Sequence, residues 1–240
     1  MSVSEICDGS LLRASVAAPT VGLDELAPRG PVLVVAPHPD DETFGCGMAI
    51  AAAAANGRRI VLALLTDGEA SHAASDTCSR DDLVTLRSGE LAQALDILVP
   101  DGDVPLLRLG APDGRSRPDD ELVQSLHAFA RKHSVCTVWT TWHADPHCDH
   151  ETAALVGAEV ARALAIPMWE YAVWGRFGER AVPASMVTFH DTAMAGRKRA
   201  AIAAYRSQTD ESVVGDPTGF TMPRAFVSHF ASHPEVFFRA

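Results

Sequence analysis

Cysteine is scarce and unpatterned in this chain. The 240 residues include five, Cys7, Cys46, Cys78, Cys136 and Cys148. Their odd number and the absence of any Cys-x-x-Cys pair argue against a disulfide framework and against a thiolate zinc site. Positive charge is also in short supply. Lys and Arg total 20 against 31 Asp and Glu, a net charge of −11, and only Arg197-Lys198-Arg199 gathers basic residues together. Such a surface repels a phosphate backbone, so nucleic acid is excluded as a partner. The most apolar run, Met48 to Ala55, is far too short to span a bilayer. The N-terminus carries Glu5 and Asp8 with no long apolar stretch and does not read as a signal peptide. A soluble, cytoplasmic protein without a membrane span is therefore expected. With 47% hydrophobic and 21% charged residues the composition is globular, not disordered.

The pattern from Pro31 onward alternates strands and helices. Val32 to Ala36 and Ile60 to Leu65 are continuous apolar runs, as expected of strands buried on both faces of a parallel sheet. Between them an alanine-rich helix over Phe44 to Asn56 ends at Gly57, a natural C-terminal stop. Further helices are expected over Leu83–Leu98, Asp119–Lys132, Glu151–Ala165 and Ala193–Arg206, and strands over Val104–Leu109, Val135–Thr141 and Met168–Trp174. This rhythm predicts an α/β fold: a Rossmann-like, open, mostly parallel sheet with helices on both faces. No repeat, low-complexity linker or composition break divides the chain. An irregular N-terminal arm over residues 1–28 and a single domain over 29–240 are expected, with a Pro/Gly-rich remainder after the last helix.

Two clusters carry the chemistry. Pro37-His38-Pro39-Asp40-Asp41-Glu42 follows the first strand, and His143-Ala144-Asp145-Pro146-His147-Cys148-Asp149-His150 follows the strand ending near Thr141. Both fall at carboxyl ends of strands, where open α/β sheets place their sites. Alone, either segment reads as turn chemistry, with proline fixing φ and an aspartate capping the next helix. Together they read as a metal site, because three adjacent acids beside a histidine cost Coulomb repulsion that a cation relieves. Two imidazoles and one carboxylate with open positions suit a catalytic zinc, and equally a non-haem ferrous ion. An acid left over beside them suits hydrolysis: zinc lowers the pKa of its water and the carboxylate takes the proton.

These two motifs resemble those of the LmbE-like, or PIG-L, family of metal-dependent N-deacetylases, over about Pro31 to Gln208. The resemblance implies a zinc hydrolase that removes the acetyl group from an N-acetylated amino sugar or glycoconjugate. It implies His38, Asp41 and His150 as metal ligands, with Zn2+ or Fe2+ as the ion, and Asp40 as general base. It further implies that His147 stabilises the oxyanion, oriented by Asp149. Each role is physically reasonable. His38 and Asp41 can bend towards one ion across a strand-to-helix turn, and an imidazolium at His147 would donate to developing negative charge. An amidase of non-sugar or thiol-conjugate amides, and a metal-containing carbohydrate binder without turnover, are the competing readings.

Weaker likenesses concern the substrate. Arg87, in an Arg-x-x-Glu pattern with Glu90, resembles a substrate-binding arginine, though an i,i+3 surface pair would look the same. Asp113, before Gly114, resembles an acid that holds sugar hydroxyls, though Asp-Gly is also a good turn. Thr66-Asp67-Gly68-Glu69 resembles the family's loop after the second strand. One departure stands out: some members carry a tyrosine two residues before the first histidine of the second motif, where this chain has Asp145. Trp139, Trp142, Trp169 and Trp174 flank the site strands; sugar stacking and core burial are the two readings of them, and core burial is the simpler.

Overall fold

Every residue of Val32–Ala36 is buried, and so is every residue of Ile60–Leu64 and Thr137–Thr141. These runs form the centre of a seven-stranded sheet in a computed structural model that describes residues 8–100 and 102–240. The strands are β1 (Val32–Ala36), β2 (Ile60–Leu64), β3 (Leu106–Arg108), β4 (Thr137–Thr141), β5 (Met168–Tyr171), β6 (Met186–Phe189) and β7 (Glu235–Arg239). Their order is β3-β2-β1-β4-β5-β7-β6. The first five run parallel, and β7 lies antiparallel between β5 and β6. The expected α/β architecture is therefore observed. The strand order reverses between β1 and β4, the switch point where such sheets open a crevice at their carboxyl ends.

Helices cover both faces. The short helices α1 (Ser10–Ser15) and α2 (Leu23–Leu26) lead into β1. One face carries α3 (Asp41–Ala55), α4 (Arg80–Leu98), α7 (Ala195–Ile202) and, beyond the short α8 (Arg206–Thr209), α9 (Arg224–Ser232). Their apolar sides share a core with Val32, Val34, Leu62 and Leu64. The other face carries α5 (Asp120–Lys132) and α6 (Cys148–Leu164), packed on Leu33, Val35, Val61 and Val138. The alternation of Val32/Val34 with Leu33/Val35 between the two cores is the period-2 pleat of a strand covered on both sides.

Three differences from the sequence reading have physical causes. The helix expected from Phe44 starts at Asp41, because the acidic residues themselves form its first turn, where the helix dipole favours them. It is also broken at Cys46, with φ −139° and ψ 21°. The break frees backbone groups, and a buried ion pair takes them up: Glu235 accepts from the amides of Met48 (2.6 Å) and Ala49 (2.9 Å), while Lys198 Nζ donates to the Phe44 carbonyl (2.8 Å) and to Glu235 (2.7 Å). The helix expected over Ala193–Arg206 stops at Ile202, because Tyr205 (φ −82°, ψ 60°) leaves the helical path to bury its ring beside Phe44. Finally, the Pro/Gly-rich remainder contributes α9 and β7, and β7 is inserted inside the sheet. The first seven residues of the expected N-terminal arm lie outside the described residues.

Candidate active site

The turn after β1 is shaped by unusual backbone. Asp40 caps α3 with φ 146° and ψ −33°, well into the region that side chains avoid. Strain of this kind persists only where neighbours over-determine it. Here the Asp40 amide donates to Glu42 Oε2 (3.1 Å), and buried Glu42 is itself gripped by the Thr43 hydroxyl (2.6 Å) and the Tyr205 phenol. Tyr205, one of two tyrosines in the chain, thus holds the turn from 163 residues away.

His38, Asp41 and His150 converge across the switch point. Each offers a ligand atom, and these atoms lie within 4.8 Å of one another. Asp41 Oδ2 is 2.9 Å from His38 Nδ1 and 3.3 Å from His150 Nε2. The outer nitrogens are anchored on acids. His150 Nδ1 is 2.9 Å from Asp145 Oδ2, and His38 Nε2 is 3.1 Å from both Asp113 and Asp149. A carboxylate behind each imidazole is the arrangement that orients metal-binding histidines and raises their basicity. Fully buried His150 Nε2 has no hydrogen-bond partner, since Asp41 Oδ2 is near but not aligned with it. A buried nitrogen aimed between a carboxylate and a second imidazole, with no donor or acceptor to satisfy it, is what a divalent cation would complete. A second grouping, His38, His147 and Asp149, is equally close. It fits less well, because Asp149 already accepts from the Gly114 amide (2.7 Å), the Ser116 amide (2.9 Å) and the Ser116 hydroxyl (2.6 Å).

The charges follow from this geometry. Burial alone would lower His150 and His38. Asp41 and Asp145 outweigh it at His150, which is pushed up to about 9. Hydrogen bonds to Asp113, Asp149 and Asp41 raise His38 well above the usual imidazole range. Asp41 is driven the other way: burial would raise it, yet His150 and His38 hold it far below the ordinary carboxylate range. Asp40 differs. Burial pushes its carboxyl up to about 8, with Asp41 and Glu42 adding to the rise and Arg87 and His38 opposing it.

His147 and Asp149 depart from the expected relationship. The Asp149 carboxylate sits 3.8 Å from His147 Nδ1, and it is the Asp149 backbone amide that donates to that nitrogen, at 3.3 Å. The carboxylate serves His38 and the loop at Gly114 and Ser116 instead. Burial, reinforced by the charges of His38 and His150, lowers the pKa of His147. The geometry does not fit the expected imidazolium, because Nδ1 is an acceptor here. With Nδ1 accepting, the proton is on Nε2, which leaves that nitrogen as the ring's donor.

Arg87 is buried, and the i,i+3 pair with Glu90 does not form. Its Nη1 donates to the Gly68 carbonyl (2.8 Å); its Nη2 donates to the Pro39 carbonyl (3.0 Å) and to Asp40 Oδ2 (3.1 Å). Gly68, at φ 71°, has no side chain to collide with this guanidinium. Glu90 instead accepts from the amide and hydroxyl of Ser207. Asp113 accepts from the Ala70 amide (2.7 Å) while its other oxygen faces His38. Asp67 pairs with Arg108 and does not reach the cleft.

A cleft of about 240 Å3 brings together His38, Asp40, Asp41, Arg87, Asp113 and His147. It is also lined by Ala70, Ser71, Gly114, Trp174, Gln208 and Phe220. Trp174 is thus a wall residue, whereas Trp139, Trp142 and Trp169 are core. The sequence reading missed two contributions. Asp145, noted only as a departure, holds His150 and the backbone amides of Val173, Trp174 and Gly175. Phe220 and Gln208 come from a C-terminal region without periodic signal.

The GlcNAc-PI de-N-acetylase (PIG-L) family model matches residues 33–161, more than half of the chain. The chain belongs to the PIG-L family. Among curated proteins there is no match. Solved structures similar to this PIG-L chain include the conserved protein TT1542 from Thermus thermophilus. It is 28% identical with a TM-score of 0.59, over 74% of this chain and 79% of that one. The N,N'-diacetylchitobiose deacetylase from Pyrococcus horikoshii shares the fold at 18% identity and a TM-score of 0.71, over 96% of this chain and 90% of that one. GalB, the 4-carboxy-2-hydroxymuconate hydratase from Pseudomonas putida, does so at 20% identity and 0.61, over 75% and 80%. The PIG-L match covers both motifs, and among the described residues of this PIG-L chain no helix is long and apolar enough to cross a membrane.

Proposed function

We propose that this chain is a zinc-dependent amide hydrolase that releases acetate from an N-acetylated amino sugar. The observation that carries the reading is the convergence of His38, Asp41 and His150 beside the buried carboxyl of Asp40 in one cleft. The hydratase with the same fold shows that fold alone does not choose the reaction. The family membership and the acid beside the ligand trio support amide cleavage.

The three ligands would hold the ion, and N2O donors suit zinc or a ferrous ion alike. When bound, the ion supplies Lewis acidity that polarises the amide carbonyl. The chain's own groups do the rest. Asp40 takes a proton from the attacking water and returns it to the departing amine, so that water and amide become acetate and free amine. Arg87 keeps one Asp40 oxygen turned to a fixed place. His147 Nε2–H donates to the carbonyl oxygen as it gains negative charge, as a neutral donor in a partly buried site. Asp145, Asp113 and Asp149 hold the two imidazoles in orientation. Residues 29–240 act as one domain in this reading, which the single continuous sheet supports.

The test is acetate release from N-acetylglucosamine glycosides by zinc-loaded protein, with Asp40→Ala as control. Release that Asp40→Ala abolishes is expected. Tight sugar binding without acetate would put a carbohydrate-binding protein in its place.

A further inference from the structure

The lining of the cleft is of two kinds: Asp40, Asp41 and Asp113 beside the histidines, and the aromatic pair Trp174 and Phe220. Trp174 and Phe220 meet edge to face there, with centroids 5.5 Å apart at 87°. Phe220 remains 38% exposed, a large apolar ring left at the mouth. The indole is placed relative to the candidate metal ligands through one side chain. The Trp174 amide donates to Asp145 Oδ2 at 3.2 Å, and the same oxygen faces His150 Nδ1.

Among the described residues, Arg87 is the only lysine or arginine lining the cleft, and both of its terminal nitrogens are occupied by Gly68, Pro39 and Asp40. In the adjoining hollow Arg80 is paired with Glu69, and Arg115 lines that hollow and not the cleft. An anionic group in the cleft would meet no free guanidinium or ammonium among its lining side chains. The enclosed volume of about 240 Å3 is below the roughly 300–1,000 Å3 of pockets that swallow drug-sized ligands. A volume of that size is on the scale of a single ring, and Trp174 and Phe220 are the apolar surface left for an attached group.

Resting on the amide-hydrolase reading, we propose that the substrate is an uncharged N-acetyl amino sugar glycoside whose aglycone lays a flat apolar face on Trp174 and Phe220. Phosphorylated amino sugars are rejected. Trp174 and Phe220 are specificity-determining, not catalytic, residues.

Zinc-loaded protein is assayed for acetate release from three probes: p-nitrophenyl N-acetylglucosaminide, methyl N-acetylglucosaminide and N-acetylglucosamine 6-phosphate. The aryl glycoside is expected to have the lowest KM and the phosphate the poorest kcat/KM, by at least about tenfold. Stacking on an aromatic ring is worth up to about a tenfold effect. Phe220→Ala, at an exposed position, and Trp174→Phe, which keeps a ring, should each lower the aryl-over-methyl ratio of kcat/KM, by up to about tenfold for Phe220→Ala. Binding of the aryl glycoside is followed in parallel by calorimetry with the Asp40→Ala protein. Equal turnover of the phosphate, or an aryl preference and affinity untouched by Phe220→Ala, would overturn the proposal. No acetate from any probe, with aryl binding still dependent on Phe220, would instead sink the hydrolase reading and leave the specificity assignment standing.

Discussion

Asp145 Oδ2 lies 2.9 Å from Nδ1 of His150, and both side chains are wholly buried. That oxygen also accepts from the amides of Val173 and Trp174, while the second oxygen accepts from Gly175 at 2.6 Å. One carboxylate therefore ties the second motif to the end of β5. It fixes the imidazole from behind and sets the start of the loop that carries Trp174. Gly175 is required by this closeness, since a Cβ there would stand 2.5 Å from Asp145 Oδ1.

Asp145→Ala should weaken zinc binding about 10- to 100-fold, the usual loss when the carboxylate behind a metal-binding histidine is removed. Titration against a chelating dye checks this. Unchanged affinity would mean that His150 does not need the anchor or does not bind the ion.

The two aspartates of the first motif should separate cleanly. His38→Ala and His150→Ala are expected to lose bound zinc, whereas Asp40→Ala keeps it and loses turnover by about 10²- to 10⁴-fold, the usual contribution of a general base. Elemental analysis alongside acetate release reads both. Asp40→Ala protein stripped of metal would show the two carboxylates to be assigned the wrong way round.

The pair Lys198–Glu235 should matter beyond its charges. Lys198→Met leaves Glu235 buried without its partner, a change that costs about 3–5 kcal/mol in comparable sites. Replacing both residues by apolar ones often restores such losses, but here Met48 and Ala49 would lose the acceptor for their amides. Lys198→Met/Glu235→Leu should therefore stay destabilised in urea unfolding. Full recovery in the double variant would show that the break in α3 can close by itself.

His229 makes stability fall on the acid side. Burial lowers it to about 3, helped by Arg176, His233 and Lys198; His233 stacks on it at 4.0 Å. Above about pH 6.5 the ring is neutral folded and unfolded, and it adds no pH dependence. Between about 6.5 and 3 only the unfolded chain binds the proton, so stability drops as pH falls, by up to about 1.4 kcal/mol per pH unit. His229→Leu should remove that part of the slope. Denaturation curves of wild type and variant at pH 7, 6 and 5 compare them; parallel slopes would refute the assignment.

Much of this is legible in the sequence. Continuous apolar strands, alternating helices and two polar clusters after β1 and β4 are local features; they lead to the observed sheet, and residues of both clusters line one cleft. Boundaries drift where polar contacts override propensity. Tyr205 ends a helix early to reach Glu42, and Cys46 interrupts α3 because Glu235 and Lys198 are there to take the freed groups. The hydrogen bonding of His147 escapes a local reading for a similar reason, since its Nδ1 accepts from a backbone amide and burial is what chiefly lowers its pKa.

Residue order by itself determined the architecture and the two candidate clusters, because pleat, helical period and motif spacing are written within a few neighbours. Only the folded chain decided which acid backs which histidine, that Arg87 is consumed by Asp40, and that Trp174 and Phe220 face the cleft. The long-range contacts behind these outcomes join segments separated by 29 to 163 residues. Their geometry comes from the packing of the whole sheet, which no local pattern encodes.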